Sequence, residues 1–137
     1  MNSFGPHLLL DFYADPYHLG NENYWKGLLG EIVDLIGMTP ISPPFVYRSE
    51  CENKNWDPPK ATGLSGFIVL AESHVSFSTP IAFHTFVEAE FVFMDIFSCK
   101  PFDYETVETF LVERLGARDF DSTTVMRGFH FPQRKNV

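Results

Sequence analysis

The sequence predicts an α+β fold: a two-layer sandwich in which an antiparallel β-sheet carries two helices on one face. The apolar pattern gives the order strand, helix, several strands, helix, strand, and this order suits such a sandwich. The length of 137 residues and an apolar share of 45% fit one domain over residues 1–137. Fifteen phenylalanines supply a large apolar area for that domain to bury.

The first predicted elements are a strand and a helix. His7–Tyr13 is short and apolar and is followed by the breaker pair Asp15-Pro16, so it is predicted as a buried strand. Asn23–Ile36 places apolar residues at helical spacing, and Gly37 supplies the stop after that helix.

The next stretch is predicted to be mostly irregular. Two prolines precede Phe45–Arg48 and limit it to a short strand at best. Ser49–Lys60 is polar and contains prolines, so it is predicted as a loop. Its one large apolar side chain, Trp56, is either a lid over the site or a simple anchor, and Cys51 in the same loop has no assigned role.

The second half of the chain is predicted to return to the sheet. The apolar runs predict a strand at Ser65–Ala71, one or two strands over His74–Phe86 with an interruption at Pro80, and a strand at Glu90–Ser98. A second helix is predicted to begin at the N-cap Asp103 and to stop before Gly116. The last predicted strand is Thr123–Phe129. A phenylalanine-rich sheet must have both faces covered. We therefore expect a homodimer that packs sheet on sheet.

Composition excludes several functional classes. A formal charge of −8 argues against a nucleic-acid partner, because phosphates would be repelled. No apolar run approaches the ~18 residues that cross a bilayer, and no signal peptide is apparent, so a soluble cytoplasmic protein is expected. The two cysteines, Cys51 and Cys99, are expected as thiols rather than as a disulfide. Five histidines without zinc-ligand spacing predict no metal site.

The segments that carry chemistry lie mostly between residues 63 and 99, where no phosphate loop, nucleophile elbow or dinucleotide fingerprint occurs. They are GLSG from Gly63 to Gly66, the apolar run FIVLA, then Glu72-Ser73-His74, and DIFSC from Asp95 to Cys99; GPHLLLDFY from Gly5 to Tyr13 precedes them. The stretch from GLSG through FIVLA to Glu72-Ser73-His74 resembles the self-cleaving segment of the prokaryotic S-adenosylmethionine decarboxylases. DIFSC resembles the strand that ends in that family's cysteine, and GPHLLLDFY resembles the family's first strand.

The resemblance implies a self-processing, pyruvoyl-dependent decarboxylase. The chain would be cut between Glu72 and Ser73, and Ser73 would become the pyruvoyl cofactor. A serine suits this position because its hydroxyl can attack the preceding carbonyl and turn the peptide bond into an ester, which then eliminates. The substrate implied is S-adenosylmethionine, converted to the aminopropyl donor of spermidine synthesis.

The resemblance also assigns roles to four further residues. The family's processing histidine stands in a His-Thr-x-x-Glu run, and here that run is His84 to Glu88. This makes His84 the base for the Ser73 α-proton, with Ser65 assisting, and Glu88 the acceptor for the substrate's ribose hydroxyls. Cys99 would return the proton after carbon dioxide leaves.

One spacing departs from the family pattern. The histidine is expected five residues after the cleaved serine, where this chain has Ser78. We prefer a six-residue insertion between His74 and His84, because it keeps the family's spacing from His84 to Cys99. An even insertion also keeps the alternating faces of a strand in phase. The rival alignment keeps Ser78 in place of the histidine and leaves self-cleavage without its base.

Two alternatives stay open. The chain could be a pyruvoyl decarboxylase of another amino acid, such as arginine or ornithine, on the same fold. It could also be an unprocessed, non-catalytic homologue that binds a ligand or a partner.

Overall fold

The computed structural model describes residues 3–57, 59–71, 80–130 and 132. Within these residues the elements are β1 (Gly5–Tyr13), a 3-10 turn (Pro16–His18), α1 (Glu22–Leu35), β2 (Phe45–Glu52), β3 (Lys60–Val69), β4 (Pro80–Phe86), β5 (Phe91–Phe97), α2 (Tyr104–Leu115) and β6 (Arg118–Arg127). No helix among the described residues is long and apolar enough to cross a membrane.

The strands form one antiparallel sheet in the order β2-β3-β4-β5-β1-β6. The centre of the sheet is therefore a meander from β3 to β5, with β1 inserted between β5 and β6. Ile68, Ile81 and Ile96 lie directly opposite one another in a row across β3, β4 and β5. This row is a useful reference for where the site residues lie along the strands.

Both helices pack on the same face of the sheet, as the sequence predicts. Alternate strand side chains point into one hydrophobic core that also holds the apolar faces of α1 and α2. In that core the Trp25 indole of α1 stacks on the Phe83 ring of β4, with ring centroids 4.1 Å apart. The α+β sandwich is thus confirmed.

The helix ends follow the signals in the sequence. The Asn21 side chain accepts from the Tyr24 amide and begins α1. The Asp103 side chain accepts from the Glu105 amide and begins α2. α2 ends at Gly116, whose φ of 63° is the left-handed conformation that glycine adopts without strain.

Neither helix of the described part of the chain packs on the other face of the sheet. Its residues alternate with the core residues, and many of them are aromatic. The larger ones are Tyr13, Phe45, Tyr47, Phe67, Phe86, Phe91, Phe93 and Phe97. We call this surface the open face. Tyr47 is 60% exposed and Phe93 is 43% exposed, so much of this apolar area meets solvent in the single chain.

Two predicted boundaries were wrong. β2 runs to Glu52, through residues predicted as loop, and β3 already begins at Lys60, so the loop that carries the exposed Trp56 spans only 53–59. β6 begins at Arg118, five residues before the predicted start. Both β2 and β6 are edge strands, and edge strands can be polar because one side of each meets water.

Two other predicted strands have different limits. β5 begins at Phe91 and not at Glu90, because Glu90 adopts a left-handed φ of 54° in the turn before it. β4 accounts for the second part of the predicted His74–Phe86 segment. Its first part, together with Glu72, Ser73 and Ser78, lies outside the described residues.

Candidate active site

The centre of the site is a contact between Ser65 and His84. Ser65 lies on β3 and His84 lies directly opposite on β4. Their side chains leave the sheet on the same face, and Ser65 Oγ is 2.7 Å from His84 Nδ1. A hydrogen bond of this length joins the two residues whose roles the sequence linked, although nineteen positions separate them.

The Ser65–His84 pair lies on the open face. On these strands the core residues Leu64, Phe83 and Thr85 alternate with Ser65 and His84. The pair is flanked in its cross-strand row by Tyr47 of β2 and Phe93 of β5. The imidazole is exposed to solvent, so a ligand or a second protein can reach it.

Glu88 lies beyond the end of β4, in the turn that leads to β5. Its carboxylate accepts from the Thr62 backbone amide at 2.6 Å and from the Thr62 hydroxyl at 2.7 Å. The amide hydrogen bond is the main reason that the pKa of Glu88 is lowered. Glu88 is therefore held as an oriented carboxylate, and each oxygen keeps a lone pair for a further donor.

Thr62 is a site residue that the sequence did not reveal. It stands 26 positions from Glu88 and belongs to no motif. Only the pairing of β3 with β4 brings the two residues together.

Cys99 lies two residues past the end of β5 and is half-buried. It borders an open cavity of about 490 Å³ whose lining includes Phe4, Phe102 and Met126. Gly5 passes close beneath it: a Cβ on Gly5 would lie 2.7 Å from the Cys99 Cα and 1.9 Å from the Ser98 carbonyl oxygen. Only glycine allows this approach of β1 to the cysteine backbone.

The predicted site residues do not all meet within one chain. Ser65 and His84 each lie three residues from the Ile68–Ile81–Ile96 row, on the side of the turn that carries Glu88, and Cys99 lies three residues from this row on the opposite side. At about 3.3 Å per residue the pair and the cysteine are about 20 Å apart along the strands. Ala71 also lies three residues past the row, on the same edge as Cys99. The residues predicted to be cut follow Ala71 in sequence.

Comparison with known proteins decides the family. The profile of the family described as S-adenosylmethionine decarboxylase matches residues 6–128. The chain belongs to this family. The prediction of an S-adenosylmethionine decarboxylase, made from the motifs, is thereby confirmed at the level of the family.

Curated relatives agree with this assignment at modest identity. The chain is 26% identical over 130 residues to the S-adenosylmethionine decarboxylase proenzyme of Clostridium botulinum, covering 93% of this chain and 97% of the relative. It is 29% identical over 126 residues to the proenzyme of that name from Thermoplasma acidophilum, with 90% and 83% covered.

A solved structure agrees in fold. The crystal structure of the adenosylmethionine decarboxylase from Aquifex aeolicus matches with a TM-score of 0.70 and 21% identity, over the whole length of both chains. This match supports the α+β sandwich, whereas the family assignment rests on the sequence.

Proposed function

We propose that this S-adenosylmethionine decarboxylase is a single catalytic domain over residues 1–137 that divides itself between Glu72 and Ser73 and uses the pyruvoyl group formed from Ser73. The observation that carries the proposal is the 2.7 Å contact between Ser65 Oγ and His84 Nδ1. It supports the alignment with a six-residue insertion, because the histidine placed by that alignment is the one that bonds Ser65.

The Ser65–His84 pair suits proton transfer. With the ring proton on Nδ1, the Ser65 oxygen accepts it, and the other ring nitrogen carries the lone pair that a base needs. In this role His84 takes the α-proton of Ser73 after the Ser73 hydroxyl has attacked the Glu72 carbonyl and formed the ester. Ser65 then fixes the tautomer and the orientation of the ring.

Other residues act on the substrate in this proposal. The pyruvoyl group supplies an electron sink for loss of carbon dioxide. The Cys99 thiol returns a proton to the substrate carbon, and Ala71 and Cys99 lie on one edge of the sheet, which fits an acid beside the new cofactor. Glu88 binds the ribose hydroxyls as an ionised, doubly held acceptor.

The first experiment is the intact mass of fresh protein under denaturing conditions. We expect two fragments, residues 1–72 and a pyruvoyl-blocked 73–137, which together weigh the precursor plus water minus ammonia. S73A and H84A should stay whole, while H130A, which changes an exposed histidine outside the site, should cleave normally. A wild-type chain that stays whole after long incubation would refute the mechanism and favour the non-catalytic homologue.

The substrate is tested by release of carbon dioxide from S-adenosylmethionine, arginine and ornithine, each offered to the cleaved enzyme. We expect release from S-adenosylmethionine. Release from arginine or ornithine alone would identify the enzyme as a decarboxylase of that other amino acid.

We also propose that the protein is cytoplasmic. The two cysteines are thiols that are not joined by a disulfide, which fits a reducing compartment.

We also propose a homodimer that packs open face on open face. It would cover the exposed aromatic residues, as a stable sheet requires. It would also lay the Ser65–His84 pair of one copy over the sheet of the other. The separation of about 20 Å between this pair and the Cys99 edge within one chain is a reason to expect residues of both copies in each site.

Sedimentation or light scattering would test the dimer, and co-expression of two inactive variants would test the shared site. A mixed dimer of S73A with H84A contains one intact Ser73 and one intact His84, on different chains. If the site is shared, the H84A chain is cleaved in the mixture but not when it is expressed alone. If each chain processes itself, neither chain is cleaved.

A further inference from the structure

Thr85 follows His84 in the chain and points to the opposite side of the sheet, into the core. It is 3% exposed, and its hydroxyl both accepts and donates a hydrogen bond. Oγ1 accepts from the Leu64 amide at 2.8 Å and donates to the Leu19 carbonyl oxygen at 2.7 Å. These bonds reach the residue before Ser65 and the segment that follows the 3-10 turn.

The hydroxyl occupies the point where the regular ladder stops. β3 and β4 pair in register from Val69–Pro80 as far as Ser65–His84. The next backbone hydrogen bond between these segments is from the Val87 amide to the Thr62 carbonyl oxygen. Between the two, the Leu64 amide bonds the Thr85 side chain and not a backbone carbonyl. The Ser65–His84 pair is therefore the last regular pair, and the Thr85 hydroxyl holds the strands together beside it.

Gly63 shows how close the two strands come at this point. A Cβ on Gly63 would lie 1.8 Å from the Thr85 carbonyl oxygen, so the β3 backbone crosses directly over Thr85. Only glycine permits this approach. The local geometry beside His84 thus depends on the close backbone approach of Gly63, on the hydrogen bond that the Thr85 hydroxyl accepts from Leu64 and on the one that it donates to Leu19.

We infer that Thr85 is a positioning residue for self-cleavage: its hydroxyl holds β3 against β4 so that His84 Nδ1 stays within hydrogen-bond distance of Ser65 Oγ. The inference rests on the proposed role of His84 as the processing base. Without the hydroxyl, the Leu64 amide and the Leu19 carbonyl lose their partner inside the core, and the strands separate next to the pair. A shift of about 1 Å in a reacting group can slow a step by about 100-fold.

Two matched pairs of residues isolate the hydroxyl. Valine has the shape of threonine without the oxygen, and serine differs from alanine by that oxygen alone. V92A is the control for stability, since Val92 is buried directly opposite Thr85 on β5 and makes none of these hydrogen bonds through its side chain. Each variant is purified as the full chain, and the first-order rate of cleavage is followed by intact mass.

We expect T85V and T85A to cleave at least about tenfold more slowly than wild type, and T85S to stay within about threefold. V92A should also stay within about threefold while its thermal midpoint falls. Wild-type cleavage by T85V and T85A would overturn the inference, as would a T85S variant that is as slow as T85A. If T85V does not fold, the comparison of T85S with T85A decides.

A second measurement does not need cleavage. In an S73A background, the ring nitrogen chemical shifts of His84, which report its tautomer and its hydrogen bond to Ser65, are measured by NMR with and without T85A and with S65A as the reference for a lost contact. We expect T85A to move these shifts toward those of S65A and T85S to leave them unchanged. Unchanged shifts in T85A would overturn the inference. A wild-type chain that never cleaves, with shifts that respond as expected, would instead refute the proposed function alone.

Discussion

Substitution of Gly5 by alanine tests whether the position of Cys99 matters for turnover. The new methyl carbon would lie 1.9 Å from the Ser98 carbonyl oxygen, and real Cβ atoms stay about 3.0 Å or more from such neighbours. The start of β1 and the segment that carries Cys99 must therefore separate by roughly 1 Å. Because displacement of a reacting group by about 1 Å can cost about 100-fold in rate, we expect kcat for decarboxylation by G5A to fall about 10- to 100-fold.

The assay compares kcat with the extent of self-cleavage in the same preparation. Cleavage should be normal in G5A, because Ser65 lies on β3 and His84 on β4, and neither of these strands pairs with β1. The matched control is G27A in α1, where an added Cβ meets nothing within 4 Å. It should leave kcat unchanged and stabilise the helix by about 0.5–1 kcal/mol. Wild-type kcat in a folded G5A protein would refute the argued role of this close approach.

Three further predictions concern stability. The hydrogen bonds that Glu88 accepts lower the pKa of its carboxyl from 4.5. The stability that they contribute is therefore present above pH 4.5 and is lost as the pH falls through the lower pKa of the folded protein. Urea midpoints should fall less steeply with acidification in E88Q than in wild type. Trp25 is fully buried against Phe83, and W25A should cost about 3–5 kcal/mol in urea unfolding, whereas Y17A, at a side chain 84% exposed, should cost almost nothing. Asp103 caps α2, and D103A should cost about 1 kcal/mol; an unchanged urea midpoint would show that the cap is dispensable.

Local patterns were sufficient to predict both helices and the positions of β1 and β5, whereas β3 begins five residues before its predicted start at Ser65. Periodicity placed α1 and α2 within a residue or two of their ends, because the stop Gly37, the N-cap Asp103 and the stop Gly116 carry their own chemistry. The edge strands β2 and β6 were underestimated for a physical reason. The residues of these two strands are mostly polar and exposed. Their extended conformation comes from the pairing of β2 with β3 and of β6 with β1, and the local pattern of apolar residues does not contain this information.

For the site, the sequence predicted which residues belong together but not how they are arranged. The motif predicted that Ser65 and His84 act together, and the register of β3 and β4 places them in contact. The sequence contained no sign of Thr62, and it assigned no role to Thr85 although this residue stands in the His-Thr-x-x-Glu run, because both roles depend on bonds to Glu88 and Leu64 across strands. Nor did it show that His84 and Cys99 lie at different points along the sheet.

The strand order has a consequence for the proposed cleavage between Glu72 and Ser73. A first fragment ending at residue 72 carries β1, α1, β2 and β3, and the second carries β4, β5, α2 and β6. Since the sheet runs β2-β3-β4-β5-β1-β6, three of its five strand interfaces join one fragment to the other, and β1 is held between two strands of its partner. If the chain is cut as proposed, the two polypeptides are interlocked and separate only by unfolding. The cut protein should then refold only by association of two different polypeptides, a second-order reaction, whereas each polypeptide of uncut S73A should refold as a single chain.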